Sequence, residues 1–233
     1  MGGSEQRRDP AAQLIWKPQP GPQTELFRCP VHEVLYGGAR GGGKTDAMLA
    51  LAGTRALQYK QAFVGIFFRR KLKQLEEAIA RGKDIFLPIG AKWREQKKTF
   101  MFPGGGRLKF AYLERDADAE EYQGHNYTDV YFEELTNFPS DGPVNKLRAT
   151  LRSASGVPCI FRATANPGGP GHQWVKNRYI DPAPEGYRLL TDGETDLQYT
   201  FIPAKLKDNR LLWENDPQYT SRLKQAGSEN LVR

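Results

Sequence analysis

Short continuous apolar runs alternate along this chain with segments whose apolar residues recur at helical spacing. "EVLYGG" is an apolar run that ends in glycines, and the "KTDAMLALAGTRAL" after it puts Ala47, Leu51 and Leu57 at helical spacing. "AFVGIFFRR" is the unbroken apolar stretch of a strand buried on both faces. "KLKQLEEAIARGKDIFL" returns to helix, with Leu72, Leu75, Ile79 and Phe86 on one side. Strand, helix, strand, helix predicts an α/β fold with a mostly parallel sheet covered on both faces.

The scheme is interrupted by "WREQKKTFMFPGGGRLKFAYL", two alternating segments around Pro103-Gly104-Gly105-Gly106. This predicts a β-hairpin insertion with Leu108, Phe110 and Tyr112 on one face. "DVYFEEL" and "PCIFRATANP" then resume the parallel pattern, each a short apolar run ending in polar residues. A second hairpin is expected to turn at Asp192-Gly193 inside "YRLLTDGETDLQYTFIPA". Ahead of the first strand, Met1 to about Gln13 is polar and "WKPQPGPQTELF" is proline-rich. That reads as an extended lead-in, disordered at its start, with a short helix after it. Near the other end Asp216 as N-cap, Pro217 at the first helical position and Gly227 past the last turn frame a short helix.

Composition adds bounds. The 233 residues, 39% of them hydrophobic, suffice for one sizeable core. Lys plus Arg number 34 against 27 Asp plus Glu, a formal charge of +7 that favours an anionic partner such as nucleic acid. Cys29 and Cys159 are far apart with no paired spacing, so neither a disulfide framework nor a zinc site is indicated. No apolar run reaches the ~18 residues of a membrane span, and "MGGSEQRRDP" lacks a signal-peptide core. The expectation is a soluble cytoplasmic protein.

The chemistry begins with "GARGGGKT", which satisfies G-x-x-x-x-G-K-S/T between an apolar strand and a helix. Gly38, Ala39, Arg40, Gly41, Gly42 and Gly43 would turn backbone N–H groups around a β-phosphate. Lys44 would reach the β- and γ-phosphates and Thr45 would ligate Mg2+, with Asp46 beside them in the nucleotide set. ATP and Mg2+ are the expected cofactors. "DVYFEEL" places Glu133 and Glu134 at the C-terminal end of a strand, where ligands bind in open parallel sheets. Glu133 can hold the metal and Glu134 can polarise the attacking water, a role a nucleoside kinase has no use for. In "FRATANPGG", Thr164 or Asn166 can hydrogen-bond the γ-phosphate or that water, ahead of a Pro-Gly-Gly turn.

Together "PQTELF", "LYGGARGGGKT", "YQGHNYTDVYFEELTNFP", "RATANPGG", and "FIPAKLKDN" followed by "DPQY" resemble, in order and approximate spacing, the N-terminal ATPase domain of the tailed-bacteriophage terminase large subunit. The resemblance covers most of the chain. It implies a RecA-like P-loop ATPase of the catalytic-glutamate type that drives double-stranded DNA into an empty capsid. The implied partners are double-stranded DNA, the portal protein and the small terminase subunit, in a homo-oligomeric ring in the host cytoplasm with no membrane involved. Residue by residue, it gives Gln23 the adenine edge, Arg40 the γ-phosphate, Glu134 catalysis, and Thr164, Ala165 and Asn166 the coupling of hydrolysis to DNA movement. Trp16, near Gln23, is read as core packing in preference to a cover for the base.

Two departures stand out. The family usually carries aspartate where this chain has Glu133, which would push metal contact to an outer-shell water and slow the basal rate. Where some members have an arginine, this chain has Gln123-Gly124, so a finger supplied by a neighbouring subunit is sought at Arg148 or Arg152 in "KLRATLRS". Arg69, Arg70, Lys71, Lys73, Lys97 and Lys98 are either DNA-phosphate contacts or solvated faces. The chain stops at "AGSENLVR", where the family's linker to a nuclease domain begins. The reading is therefore a lead-in over residues 1–20 and one ATPase domain over 21–233, without nuclease activity. Competing readings are a helicase- or recombinase-like ATPase on single strands, and a non-hydrolysing assembly switch in which Glu133 and Glu134 are structural.

Overall fold

Each continuous apolar run becomes a strand whose alternate residues enter two different cores. The computed structural model describes residues 16–219, 221 and 222. The predicted disordered start lies outside them, as does the C-terminal part of the helix read toward Gly227. In chain order the elements are α1 (Pro22–Arg28), β1 (Glu33–Gly38), α2 (Lys44–Tyr59), β2 (Val64–Arg69), α3 (Leu72–Phe86), β3 (Lys92–Arg94), β4 (Thr99–Met101) and β5 (Arg107–Tyr112). There follow β6 (Asp129–Phe132), α4 (Gly142–Arg148), β7 (Ile160–Ala165), α5 (His172–Val175), β8 (Leu190–Thr191), β9 (Gln198–Ala204) and α6 (Arg210–Asn215).

The strands form one nine-stranded sheet in the order β3-β4-β5-β2-β6-β7-β1-β9-β8. Pairing is parallel from β5 through β9 and antiparallel at both margins. Both predicted hairpins form, and each is continuous with the sheet: β5 also pairs with β2, and β9 with β1. On one face Val34, Tyr36, Phe67, Phe110 and Tyr131 pack with Met48 and Leu51 of α2 and Leu75 and Phe86 of α3. On the other, Leu35, Ile66, Phe68, Val130, Phe132 and Phe161 pack with Val144 and Leu147 of α4. Burial on both faces explains why these strands read as unbroken apolar runs.

Three expected contacts fall elsewhere. Leu57 is exposed, because six residues at 100° each carry it about 120° round the helix from Leu51. Leu72, the first residue of α3, and Tyr112, the last of β5, are also exposed. Trp16 stacks on Phe27 with ring centroids 5.4 Å apart and packs against the core. Among the described residues no helix is long and apolar enough to cross a membrane.

Parallel strands deliver their C-terminal ends to one edge, and there β1, β2, β6 and β7 bring together the P-loop, Arg69, Glu133 with Glu134, and the segment after Ala165. The opposite edge is held by buried ion pairs. Asp129 at the start of β6 binds Arg55 and accepts from the Tyr131 hydroxyl at 2.8 Å. Glu33 at the start of β1 binds Arg148 and Arg178, each at 3.0 Å.

Candidate nucleotide site

Three glycines of the loop from Gly38 to Gly43 hold positive φ, Gly38, Gly41 and Gly43, and two of them show different reasons for glycine. Gly38 has φ 132° and an added Cβ would lie 2.1 Å from the Ala204 carbonyl, so β9 is in direct backbone contact with the loop. Gly43, at φ 67°, is the left-handed residue that starts α2, and a Cβ there would meet the Gln23 amide at 2.5 Å. The loop thus sits between α1, β9 and α2 and aims the first turn of α2 into a cleft of about 580 Å³. Arg40, Gly41 to Asp46, Glu133, Glu134, Thr164, Asn166, Asn209 and Leu212 line it.

Lys44 is buried and its ammonium donates to the Gly38 and Ala39 carbonyls of its own loop. Burial pulls its pKa down to about 8, opposed by the carboxylates of Glu133 and Glu134. Arg40 is exposed at the mouth. Asp46 lines the cleft but is held by Arg81 of α3 through two hydrogen bonds of 2.8 and 2.7 Å, which tie the two helices together. Gln23 is buried and backs the loop, its amide donating to the Gly43 carbonyl at 3.3 Å and accepting from the Gln19 N–H at 2.9 Å.

Across the cleft, Glu133 is buried with one carboxylate oxygen accepting from the Thr45 hydroxyl and the other from Arg69 Nε at 2.6 Å. Burial raises its pKa, while Arg69 and Thr45 oppose that rise. Glu134 sits at φ 55°, ψ 55°, a left-handed conformation uncommon for a residue with a side chain. Its N–H donates to the Thr164 hydroxyl at 3.1 Å. Its carboxylate binds Arg69 Nη1 at 3.1 Å and accepts from Asn137 at 2.8 Å and from Gln74 at 3.4 Å. The Asn166 carbonyl accepts from the Thr136 hydroxyl at 3.0 Å. Asn166 lines the cleft, and its Oδ1 is buried without a hydrogen-bond partner.

Ala165 ends β7 in register with Gly37, so the predicted coupling segment lies against the strand that feeds the P-loop. Sequence reasoning missed Arg69, Asn137, Gln74 and Asn209. Arg69, a candidate for DNA phosphate or a solvated face by sequence, has a side chain only 9% exposed that lies between the two glutamates. Arg70 is paired with Asp116 at 3.0 Å and covers Phe138. Asn209, which opens α6, donates to the Gly41 carbonyl and accepts from Gln19 at 2.8 Å.

Arg148, one of the two finger candidates, is engaged within its own chain. It lies at the far edge of the sheet from the P-loop, 14% exposed, bonded to Glu33 and Tyr179 and packed over the Phe161 ring at 4.6 Å. Its charge is used inside its own subunit. Arg152 is exposed and donates to the Gly124 carbonyl at 2.9 Å.

A phosphate-sized loop, a lysine and an acidic pair on a strand two places away define the catalytic-glutamate, RecA-like class of P-loop folds. The chain belongs to the terminase large-subunit family: the family described as terminase large subunit, T4likevirus-type, N-terminal, matches residues 35–231. Among solved structures it is similar to the large terminase of a thermophilic bacteriophage in complex with ADP, with a TM-score of 0.68 at 16% identity over 91% of this chain and 52% of that one. It is also similar to the large terminase ATPase domain of a Thermus phage, with a TM-score of 0.64, 14% identity, and 94% and 91% of the two chains covered. The N-terminal domain of the DNA packaging ATPase of bacteriophage phi29 aligns with a TM-score of 0.54 at 15% identity over 81% of this chain and 96% of that one. The chain spans about half the length of the first of these. No curated protein sequence matches it.

Proposed function

We propose that the chain hydrolyses ATP and that residues 21–233 form the ATPase domain of a packaging motor, moving double-stranded DNA into a procapsid. The observation that supports this most is the meeting, across one cleft, of Lys44 on the P-loop with Glu134 on the neighbouring acidic pair.

In this reading the P-loop N–H groups and Lys44 hold the phosphates, and Arg40 stabilises charge as the γ-phosphate leaves. Glu134 takes the proton of the attacking water, Thr164 and Asn166 orient that water, and the β7 edge through Ala165 carries the change to the DNA-moving parts. Gln23 would have to give up its bonds to the Gly43 carbonyl and the Gln19 N–H to read an adenine edge. Thr45 and Glu133 would hold Mg2+, a donor set that suits an ion keeping several waters and taking phosphate oxygens as its other ligands. When bound, the ion neutralises phosphate charge.

Glu134 is engaged by Arg69, Asn137 and Gln74 in this conformation, so slow turnover is expected until a neighbouring subunit or DNA frees it. A homo-oligomeric ring on the portal, assembled in the host cytoplasm with the small terminase subunit, supplies that neighbour; of the two finger candidates Arg152 is the exposed one and Arg148 would first have to leave Glu33. DNA cutting is assigned to no residue of this chain, and nicking of plasmid by the pure chain in magnesium or manganese would contradict that. The test is phosphate release with duplex DNA, with single strands and without DNA. Stimulation by duplex supports the translocase; stimulation by single strands alone points to a helicase-like enzyme, and binding without turnover to an assembly switch.

A further inference from the structure

On the margin formed by β3, β4 and β5, Trp93, Phe100, Leu108 and Phe110 point into the α3-side core. The alternate residues occupy the other face. Their registers, Arg94 with Thr99 with Lys109 and Lys92 with Met101 with Arg107, set four cations on that face with a neutral residue between each pair. Strand geometry spaces them about 7 Å along the strands and about 10 Å across them. Lys97 and Lys98, in the turn between β3 and β4, extend the cluster to six.

Among the described residues none of these six forms an ion pair; of the nearby acids, Glu95 pairs with Lys83, Asp118 with Arg115 and Glu120 with Lys146, while Glu114 and Glu121 line the same groove without an ion pair, so the six cations outnumber the two uncompensated carboxylates. Beyond them a groove of about 640 Å³ has Thr99 and Lys109 on its floor, and Arg115, Glu121 and Tyr122 on its far wall. A cavity of about 320 Å³ continues it past Arg107 toward His125. No residue of either lines the nucleotide cleft.

We infer that this cation-bearing face of the β3–β4–β5 margin, whose Lys109 lies over the Tyr122 ring at 5.3 Å, is a docking surface for the phosphate backbone of duplex DNA. The inference rests on the translocase reading for its choice of polyanion. Protein interfaces are marked by a charge-poor apolar centre, whereas here the centre is the cations themselves. Evenly spaced, unpaired Lys and Arg without base-reading side chains give backbone contact that is independent of sequence, as movement along DNA demands.

The test is binding of the nucleotide-free chain to a ~30-base-pair duplex of arbitrary sequence across a salt series. Lys92→Gln, Arg94→Gln, Arg107→Gln and Lys109→Gln are combined in one variant, and Lys207→Gln, Lys176→Gln, Arg188→Gln and Arg210→Gln in a control of equal charge. Thermal melting checks that both fold. The face variant should lose about tenfold or more in affinity, with the slope of log affinity against log salt shallower by about 3 to 4. An unchanged slope, an equal loss in the control, or polyglutamate of matched charge binding the face as tightly as duplex would overturn the inference. Phosphate release without DNA reads only the nucleotide site, so failure of the face and failure of the ATPase reading are separate results.

Discussion

Arg69 binds both glutamates of the acidic pair, through Nε to Glu133 at 2.6 Å and through Nη1 to Glu134 at 3.1 Å. One guanidinium therefore neutralises a buried carboxylate that also touches the P-loop threonine and holds the carboxylate proposed as the base. The planar fork of arginine suits this double contact; lysine, with a single charge centre, does not.

Removing Arg69 should be costly because it leaves Glu133 buried without a counter-charge. Arg69→Ala is expected to destabilise the fold by about 3–5 kcal/mol, and adding Glu133→Gln should recover part of that loss. Urea unfolding of the two single variants and the double variant gives the coupling, expected above about 1 kcal/mol. Additive losses would mean that the two side chains do not depend on each other.

Two glycines of the P-loop should respond differently to the same change. Gly38→Ala forces a side chain into a positive-φ position against the Ala204 carbonyl, and a loss of about 2 kcal/mol or more is expected. Gly42 has no positive φ and its nearest neighbours would stand 3.5 Å from an added Cβ, so Gly42→Ala should unfold within about 1 kcal/mol of the parent. Denaturant midpoints compare them directly.

The two arginines near the end of α4 should also separate. Arg148→Ala leaves Glu33 with Arg178 alone and should cost about 2 kcal/mol or more in stability. Arg152→Ala should leave the melting temperature nearly unchanged. If Arg152 serves a neighbour, that variant also lowers phosphate release at high protein concentration while leaving nucleotide affinity intact.

The strands that carry the site were legible because a strand buried on both faces is written as an unbroken apolar run, and the P-loop because its chemistry needs fixed spacing. Which strands are neighbours was not written so locally. "FFRR" followed by lysines reads as a basic surface, and only the pairing of β2 with β6 puts Arg69 between Glu133 and Glu134. The pairing of Arg148 was hidden for the same reason: its partner Glu33 is 115 residues away and meets it at the far edge of the sheet. The hairpins were visible from their turns, but a period of two does not name the second neighbour, so the joining of β5 to β2 and β9 to β1 was hidden. α6 was missed because its apolar residues are three in a row, Leu211, Leu212 and Trp213, with no helical spacing to detect; only Leu212 packs, against Ala39 and Leu206, and the other two are exposed.

The most direct test of the account is phosphate release from ATP by the parent chain and by Glu134→Gln over a protein concentration series, with nucleotide binding measured in parallel. The account predicts that both bind ATP with similar affinity, that only the parent turns over, by a margin of about 10²-fold or more, and that its specific activity rises with concentration. Equal turnover by Glu134→Gln would show that Glu134 is not the base and would contradict the proposed chemistry.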